Sequence, residues 1–333
     1  MGQKLVSKII FQPPNGLDMV YLNNTHYITT NEKLKIPLLW FPYGGQKFYK
    51  NKKKKKKQRR RSQNFNTLNK NIDELYFEGC KINKKKQEFP NWNDDLGETK
   101  KKNKNKPKRK KRSSILFTTE LENEIRHTIL YSHANAESIF QLPAVAQNLR
   151  SKLDANVCIY EYCGYPFAEG KCTEKNCYRS GQAALRWLNE EKGIPNSKII
   201  LMGHSLGAAV ATDLALKNPD VYGLVLLSPF LSCVKVPNIK LGLSSIDMFE
   251  NWKKAPRVKV KTLFIHGIKD EIVKIKHGKK LYQLFPNTVE PLWIKYAGHN
   301  NIEWIFGWKL YPRLVKFIYK DLLMSNKLSP TKI

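Results

Sequence analysis

Three side chains, remote from one another along the chain, have the types and the order that acyl transfer needs. Ser205 stands in Gly203-His204-Ser205-Leu206-Gly207, a G-x-S-x-G segment. The apolar run Ile199-Ile200-Leu201-Met202 precedes it, and the small residues Ala208-Ala209-Val210-Ala211 follow. That order reads as strand, sharp turn and helix, the context in which a serine hydroxyl is held clear of the backbone as a nucleophile. The helix N-terminus adds positive potential beneath a forming oxyanion. The five-residue pattern alone recurs by chance in about one chain in ten of this length at ordinary Gly and Ser frequencies. Its weight therefore comes from the flanking run and helix.

Such a serine needs an acid and a base, in the chain order Ser, Asp or Glu, His, each after a later strand. Asp270 follows the apolar run at 260–265, with Glu271 beside it as the alternative acid. His299 lies in Ala297-Gly298-His299-Asn300, after the run at 292–296. The roles follow from the chemistry. Ser205 Oγ attacks an acyl carbon, His299 takes its proton and returns it to the leaving group, and Asp270 holds the imidazole tautomer and balances its charge. One loop carboxylate or one loop histidine is ordinarily no more than a solvated side chain; both in the right order after successive strands are not.

An oxyanion needs two backbone N–H donors. Leu206, immediately after the nucleophile, supplies one. The other is expected from Ser132-His133-Ala134-Asn135-Ala136, with Asn135 preferred and Ala134 its competitor. Losing one such donor costs on the order of 10²–10³ in rate. His133 reads as part of the site wall and His266 as structural, while His26, His127, His204 and His277 receive no role.

Positioning these residues requires strands and helices in alternation. Apolar, β-rich runs occur at 128–131, 157–162, 198–202, 221–227, 261–265 and 292–296, with helical stretches at 178–192, 205–218, 276–285 and 309–324. Alternation of this kind predicts an α/β class with a mostly parallel central sheet flanked by helices, and a site at the carboxyl ends of the strands. Two further strands are expected at 36–41 and 114–118.

The chain has 333 residues, 41% of them hydrophobic and 11% aromatic, which excludes wholesale disorder. Six cysteines are too few for a disulfide scaffold, and Cys172 and Cys177 lack the spacing of a structural zinc site. A reduced, intracellular protein without cofactor or metal is expected. There is no run of 18 apolar residues, so no membrane span is expected. The N-terminal apolar residues are too few and too broken by lysine for a secretory signal. The formal charge is +31, and residues 46–112 hold +19 of it, with 26 Lys and Arg against 7 Asp and Glu.

Four parts follow. Residues 1–45 form a membrane-proximal segment with the first strand or strands. Residues 46–112 form a low-complexity basic insertion, expected to be disordered and set in an N-terminal hairpin. Residues 113–325 form the core, and residues 326–333 a flexible tail. The insertion suits an anionic membrane surface or nuclear targeting, and equally a tolerated surface loop. Nucleic acid is not expected, because aromatics for base stacking are not interleaved with the charge.

The core resembles the α/β-hydrolase domain-containing protein 17 family of membrane-associated protein depalmitoylases and its Bem46-like relatives. The resemblance rests on residues 131–136, 160–165 and 199–207, on Leu227-Ser228-Pro229, on residues 265–273, and on Glu290-Pro291-Leu292-Trp293 through His299 to Glu303. It covers roughly 114–320 and extends to residues 8–14. It implies the α/β-hydrolase fold, the triad Ser205, Asp270 and His299, and hydrolysis of S-palmitoyl cysteines on proteins at the cytosolic face of a membrane. Three departures stand out. The family's HGN loop reads His133-Ala134-Asn135, where a β-carbon is strained if Ala134 needs φ > 0. The aspartate between two tyrosines is Glu161. The N-terminal cysteine cluster is missing, since no cysteine precedes Cys80. Gly2 is then the lipidation candidate, although Val6 stands where myristoylation favours Ser or Thr. One myristoyl chain holds only marginally, so the polybasic insertion is expected as the second signal.

The function expected is therefore that of a serine hydrolase of acyl thioesters or esters, acting on an S-acylated protein or an acyl lipid. A lipid or small-ester hydrolase is the alternative within the same chemistry. A non-catalytic binding module using the insertion is the alternative outside it. The segment at 229–257 leaves room for a small cap at most.

Overall fold

The computed structural model describes residues 11, 13–14, 24–43, 126–233, 235–236 and 247–323. They belong to one unit, Met1–Gly44 with Glu120–Ile333. Gly2, the insertion at 46–112, the strand expected at 114–118 and the tail at 326–333 lie outside the described residues.

Among the described residues eight strands form one sheet: β1 (Thr25–Thr29), β2 (Lys35–Phe41), β3 (Thr128–Ser132), β4 (Asn156–Tyr160), β5 (Ile199–His204), β6 (Gly223–Leu227), β7 (Thr262–Gly267) and β8 (Leu292–Ile294). Their spatial order is β1-β2-β4-β3-β5-β6-β7-β8. β1 and β2 are antiparallel to each other, and β2 is antiparallel to β4. Every pairing from β4 to β8 is parallel. The central strands are unbroken apolar runs because both faces are covered. β3, β5, β6 and β7 are buried throughout. This is the α/β architecture expected.

The N-terminal hairpin is β1–β2, closed by residues 30–34, and β2 has β1 on one edge and β4 on the other. The lysine-rich stretch falls, in sequence, between β2 and β3.

Helices cover both faces: α1 (Pro143–Leu153), α2 (Glu174–Glu190), α3 (Leu206–Lys217), the short α4 (Asn251–Lys254), α5 (Ile275–Leu284) and α6 (Ile302–Lys316). α1 escaped the sequence reading. It opens with Pro143 at its first position and ends on Asp154 in the left-handed region, φ 50°. α2 starts four residues earlier than expected because Thr173 caps it, accepting the Asn176 N–H. α6 starts seven residues earlier than expected and runs across a non-helical residue, Phe306. Side chains alternate between two cores. Leu130, Leu201, Leu226 and Phe264 pack on the face holding α2 and α3, and Ile129, Met202, Val225 and Ile265 on the face holding α1 and α6.

α3 is apolar nearly all round, and only its last two residues escape burial. Its one buried charge, Asp213, accepts from Lys254 Nζ of α4 at 2.8 Å, and Lys254 also donates to Tyr178 Oη of α2 at 2.6 Å. This contact ties α2, α3 and α4 together. Asp213→Ala strands a mostly buried ammonium and should cost about 3 kcal/mol in denaturant unfolding. Lys217→Ala, which removes Asp213's exposed partner, should cost under about 1 kcal/mol.

Candidate active site

The nucleophile is set by a backbone that only close approach allows. Ser205 connects β5 to α3 at φ 52°, ψ −111°, a conformation uncommon for a residue with a side chain. Its N–H bonds the Leu227 carbonyl of β6 at 2.9 Å. A Cβ on Gly207 would stand 1.9 Å from the Ser132 carbonyl oxygen. Glycine there lets the start of α3 seat on the end of β3, bringing the loop after β3 beside the elbow. Leu206 opens α3, and the first N–H groups of a helix have no acceptor within it. Its N–H is therefore suited to an oxyanion.

Asp270, in the loop after β7, is buried and accepts three hydrogen bonds. Oδ1 takes the N–H groups of Ile272 and Val273, at 3.0 and 2.7 Å. Oδ2 takes His299 Nδ1 at 2.7 Å and lies 3.1 Å from His266 Nε2, whose own hydrogen bond goes to the Val273 carbonyl at 2.8 Å. Burial alone would raise the carboxyl's pKa, but the imidazoles of His266 and His299 beside it outweigh that and hold the group well below the usual carboxylate range. Glu271, the alternative acid, is exposed, and of the two it is Asp270 that bonds the imidazole.

With Nδ1 committed to Asp270, His299 keeps Nε2 for Ser205. Its loop is laced to the acid loop by backbone bonds, Ile268 N–H to the Ile294 carbonyl at 2.9 Å and Lys269 N–H to the Ala297 carbonyl at 3.0 Å. A Cβ on Gly267 would sit 2.3 Å from the Ala297 oxygen, so glycine is required for that approach. The histidine loop is also tied to the elbow. His204, next to the nucleophile, pairs Nε2 with the His299 carbonyl at 3.2 Å, and the two rings lie 5.1 Å apart. Burial lowers the His204 pKa to about 4, so at neutral pH it acts as a neutral Nε2–H donor. Ser205, Asp270 and His299 thus come to one end of the sheet.

The oxyanion loop is arranged around a second buried charge. Glu161, at the end of β4, accepts from His133 Nε2 at 2.8 Å, Ser138 Oγ at 2.7 Å and the Ile139 N–H at 3.1 Å. His133 Nδ1 donates to the Ala134 carbonyl at 2.8 Å, and Tyr162 Oη donates to the His133 carbonyl at 2.7 Å. Burial alone would lower the His133 pKa; the Glu161 carboxylate reverses that and raises it. Ala134 is not among the positive-φ residues, so its β-carbon costs no backbone strain. Its N–H is engaged by Glu137 Oε2 at 2.8 Å, which counts against Ala134 as the second donor. Tyr165 Oη donates to Asn135 Oδ1 at 2.7 Å and steadies that residue.

Four neighbours of the triad escaped the sequence reading or were read as structural: Glu161, Glu137, His204 and His266. A charge closing an apolar strand was the signal for Glu161. The spacing of four residues before the acid was the signal for His266. A cavity of about 520 Å³, lined by Trp252, Lys276, Lys279 and Lys280 among others, lies against α4 and α5 and includes none of the triad.

A family model described as Phospholipase/Carboxylesterase matches residues 184–300, a span containing all three triad positions. One described as Chlamydia CHLPS protein matches residues 121–223. The chain is 41% identical over 177 residues to the alpha/beta hydrolase domain-containing protein aho-3 of Caenorhabditis elegans, covering 53% of each chain. It is 34% identical over 200 residues to alpha/beta hydrolase domain-containing protein 17B of Homo sapiens, covering 60% of this chain and 68% of that one. The match thus spans about half to two thirds of these relatives. Among solved structures, the Pyrococcus furiosus esterase Pf2001 superposes with a TM-score of 0.58 at 14% identity, over 93% of this chain and 99% of that one, a likeness of fold.

Two predictions follow from these contacts. His266→Phe removes both the imidazole beside Asp270 Oδ2 and the donor that pins the acid loop at the Val273 carbonyl, and should lower kcat about 10- to 100-fold, while His266→Gln, which keeps an N–H, retains most activity. Glu161→Gln should destabilise the protein in a pH-dependent way. His133 has its folded pKa raised, so the stability that Glu161 adds is complete below the unfolded value of about 6.5 and is lost as pH rises through the folded one. Melting temperatures of the two proteins should therefore differ most in acid and converge in alkali.

Proposed function

We propose that this chain, which belongs to the α/β-hydrolase domain-containing protein 17 family, is a serine hydrolase that cleaves acyl thioesters on proteins, S-palmitoyl cysteine foremost. The observation that carries the chemistry is the buried Asp270–His299 contact of 2.7 Å, tied through His204 to the Ser205 elbow. Ser205 Oγ attacks the thioester carbon as its proton passes to His299 Nε2. Asp270 stabilises the imidazolium. The oxyanion is received by the N–H groups of Leu206 and Asn135. Collapse expels the cysteine sulfur, which takes the proton from His299 and leaves an acyl-serine. Water, deprotonated by His299, then attacks that ester, releasing the fatty acid and restoring the serine.

The preference for a protein-borne acyl group rests on family membership and on the sequence stretches that carry the resemblance. A location on the cytosolic face of a membrane, held by Gly2 and residues 46–112, belongs to the same reading. Among the described residues no helix is long and apolar enough to cross a membrane. A second reading, hydrolysis of lysolipids or small carboxylesters, is favoured by the description of the model matching residues 184–300.

A panel of acyl-thioester proteins and lysolipids tests the two. Thioester turnover should fall by at least about 10³-fold in Ser205→Ala. Turnover of lysolipids alone would transfer the assignment to the second reading. A fluorophosphonate probe that fails to label Ser205 would favour the binding module instead.

A further inference from the structure

We infer that the rim of the catalytic site is a docking face for an anionic lipid bilayer, built from the acid loop, the histidine loop and the start of α6. The inference deepens the membrane reading above and rests on it for the substrate's location. It assigns the contact to a surface distinct from Gly2 and the basic insertion.

Large apolar side chains stand out from the loops that carry the triad. Ile268 and Ile272 flank Asp270, and both are exposed. Tyr296, three residues before His299, is 60% exposed. Trp304 and Ile305, on the first turn of α6, are 62% and 59% exposed, and Trp308 one turn later is 60% exposed. Trp304 and Trp308 stand on either side of the non-helical Phe306. α6 meets the core through Ile302, Leu310 and Leu314. A surface helix needs only one apolar stripe to fold. The exposed Ile305 and Trp308 lie outside that stripe and, with the exposed face of Trp304 and the loop residues, make an apolar surface of the kind that marks an interaction site.

Charge selects the partner. Lys269 and Lys295 Nζ lie 5.4 and 5.2 Å from the centre of the Tyr296 ring, and Lys309 Nζ lies 4.7 Å from that of Trp308. Amphipathic rings with ammonium groups beside them suit the boundary between lipid tails and phosphates. Glu271 is exposed on the same rim. Glu303 is turned inward, accepting from Tyr311 Oη at 2.6 Å. A second copy of this face would set lysine against lysine. An anionic membrane is complementary to it. Docked so, the protein presents the loops carrying Asp270 and His299 to the headgroups, where an acyl chain leaves the bilayer.

The test uses the full chain with phosphatidylcholine vesicles, with and without phosphatidylserine, some carrying brominated acyl chains that quench tryptophan on insertion. Brominated anionic vesicles should quench the wild type, and Trp304→Phe/Trp308→Phe should bind but lose the quenching. Trp304→Glu/Trp308→Glu should bind roughly tenfold more weakly while hydrolysing a water-soluble short-chain ester at the wild-type rate. All proteins carry Trp92→Phe, which silences the insertion's own tryptophan; quenching that persists in the Phe pair overturns the inference. So does undiminished binding by the Glu pair, or a wild-type dimer that the Glu pair dissolves, which would make a second copy the occupant. If the Glu pair fails to fold, the Phe pair still decides. Thioester cleavage in detergent solution tests the chemistry apart from the surface: its absence alongside intact quenching would remove the substrate reading and leave the docking face.

Discussion

A buried carboxylate loses its hydration, and the catalytic end of this molecule is organised around restoring it. Asp270 recovers the loss through two backbone N–H groups on one oxygen and the His299 imidazole on the other. Those donors come from its own loop and from the loop after β8. Satisfying one charge therefore fixes the spacing of the acid loop and the histidine loop. It also aligns His299, because a ring anchored through Nδ1 has only Nε2 left for chemistry. His266, on β7, stands 3.1 Å from Oδ2 and pins the acid loop through the Val273 carbonyl. The position of the base is thus a consequence of solvating the acid.

The same logic recurs across the sheet. Glu161 gathers His133, Ser138 and the Ile139 N–H, and so shapes the loop that offers Asn135 to an oxyanion. Between the two charged centres stands the elbow, where no charge is involved and the constraint is contact. The start of α3 rests on the carbonyl end of β3, at a distance that excludes a β-carbon on Gly207. Two electrostatic anchors and one steric one hold nucleophile, base and oxyanion donors in register. Each anchor spans neighbouring strands of the parallel sheet, so the site depends on the order β4-β3-β5-β6-β7-β8 being formed.

Legibility in the sequence followed the kind of force involved. Ser205, Asp270 and His299 could be picked out because each follows an apolar run that can only be a buried strand. Their joint location then follows from the rule for carboxyl ends of parallel strands. The helix Pro143–Leu153 was not legible, because its polar residues dilute the periodicity and its ends are set by Pro143 and a left-handed Asp154. The local signs of His266 and Glu161 were too weak to assign either a role. A histidine at a strand end is usually structural, and its role depends on a carboxylate folding back four residues later.

The order of strands and helices from β3 onward, the turn chemistry at Ser205 and the pairing of a candidate base with two candidate acids were determined by the linear sequence, because backbone propensity and hydrophobic period act over a few neighbours. The tertiary structure alone decided which acid meets His299, which N–H Glu137 occupies, and how His133 shares charge with Glu161. Those outcomes depend on hydrogen bonds among groups up to 29 residues apart, where Asp270 meets His299. Burial makes such bonds obligatory, and burial is a property of the assembled sheet and its covering helices, not of any stretch of chain.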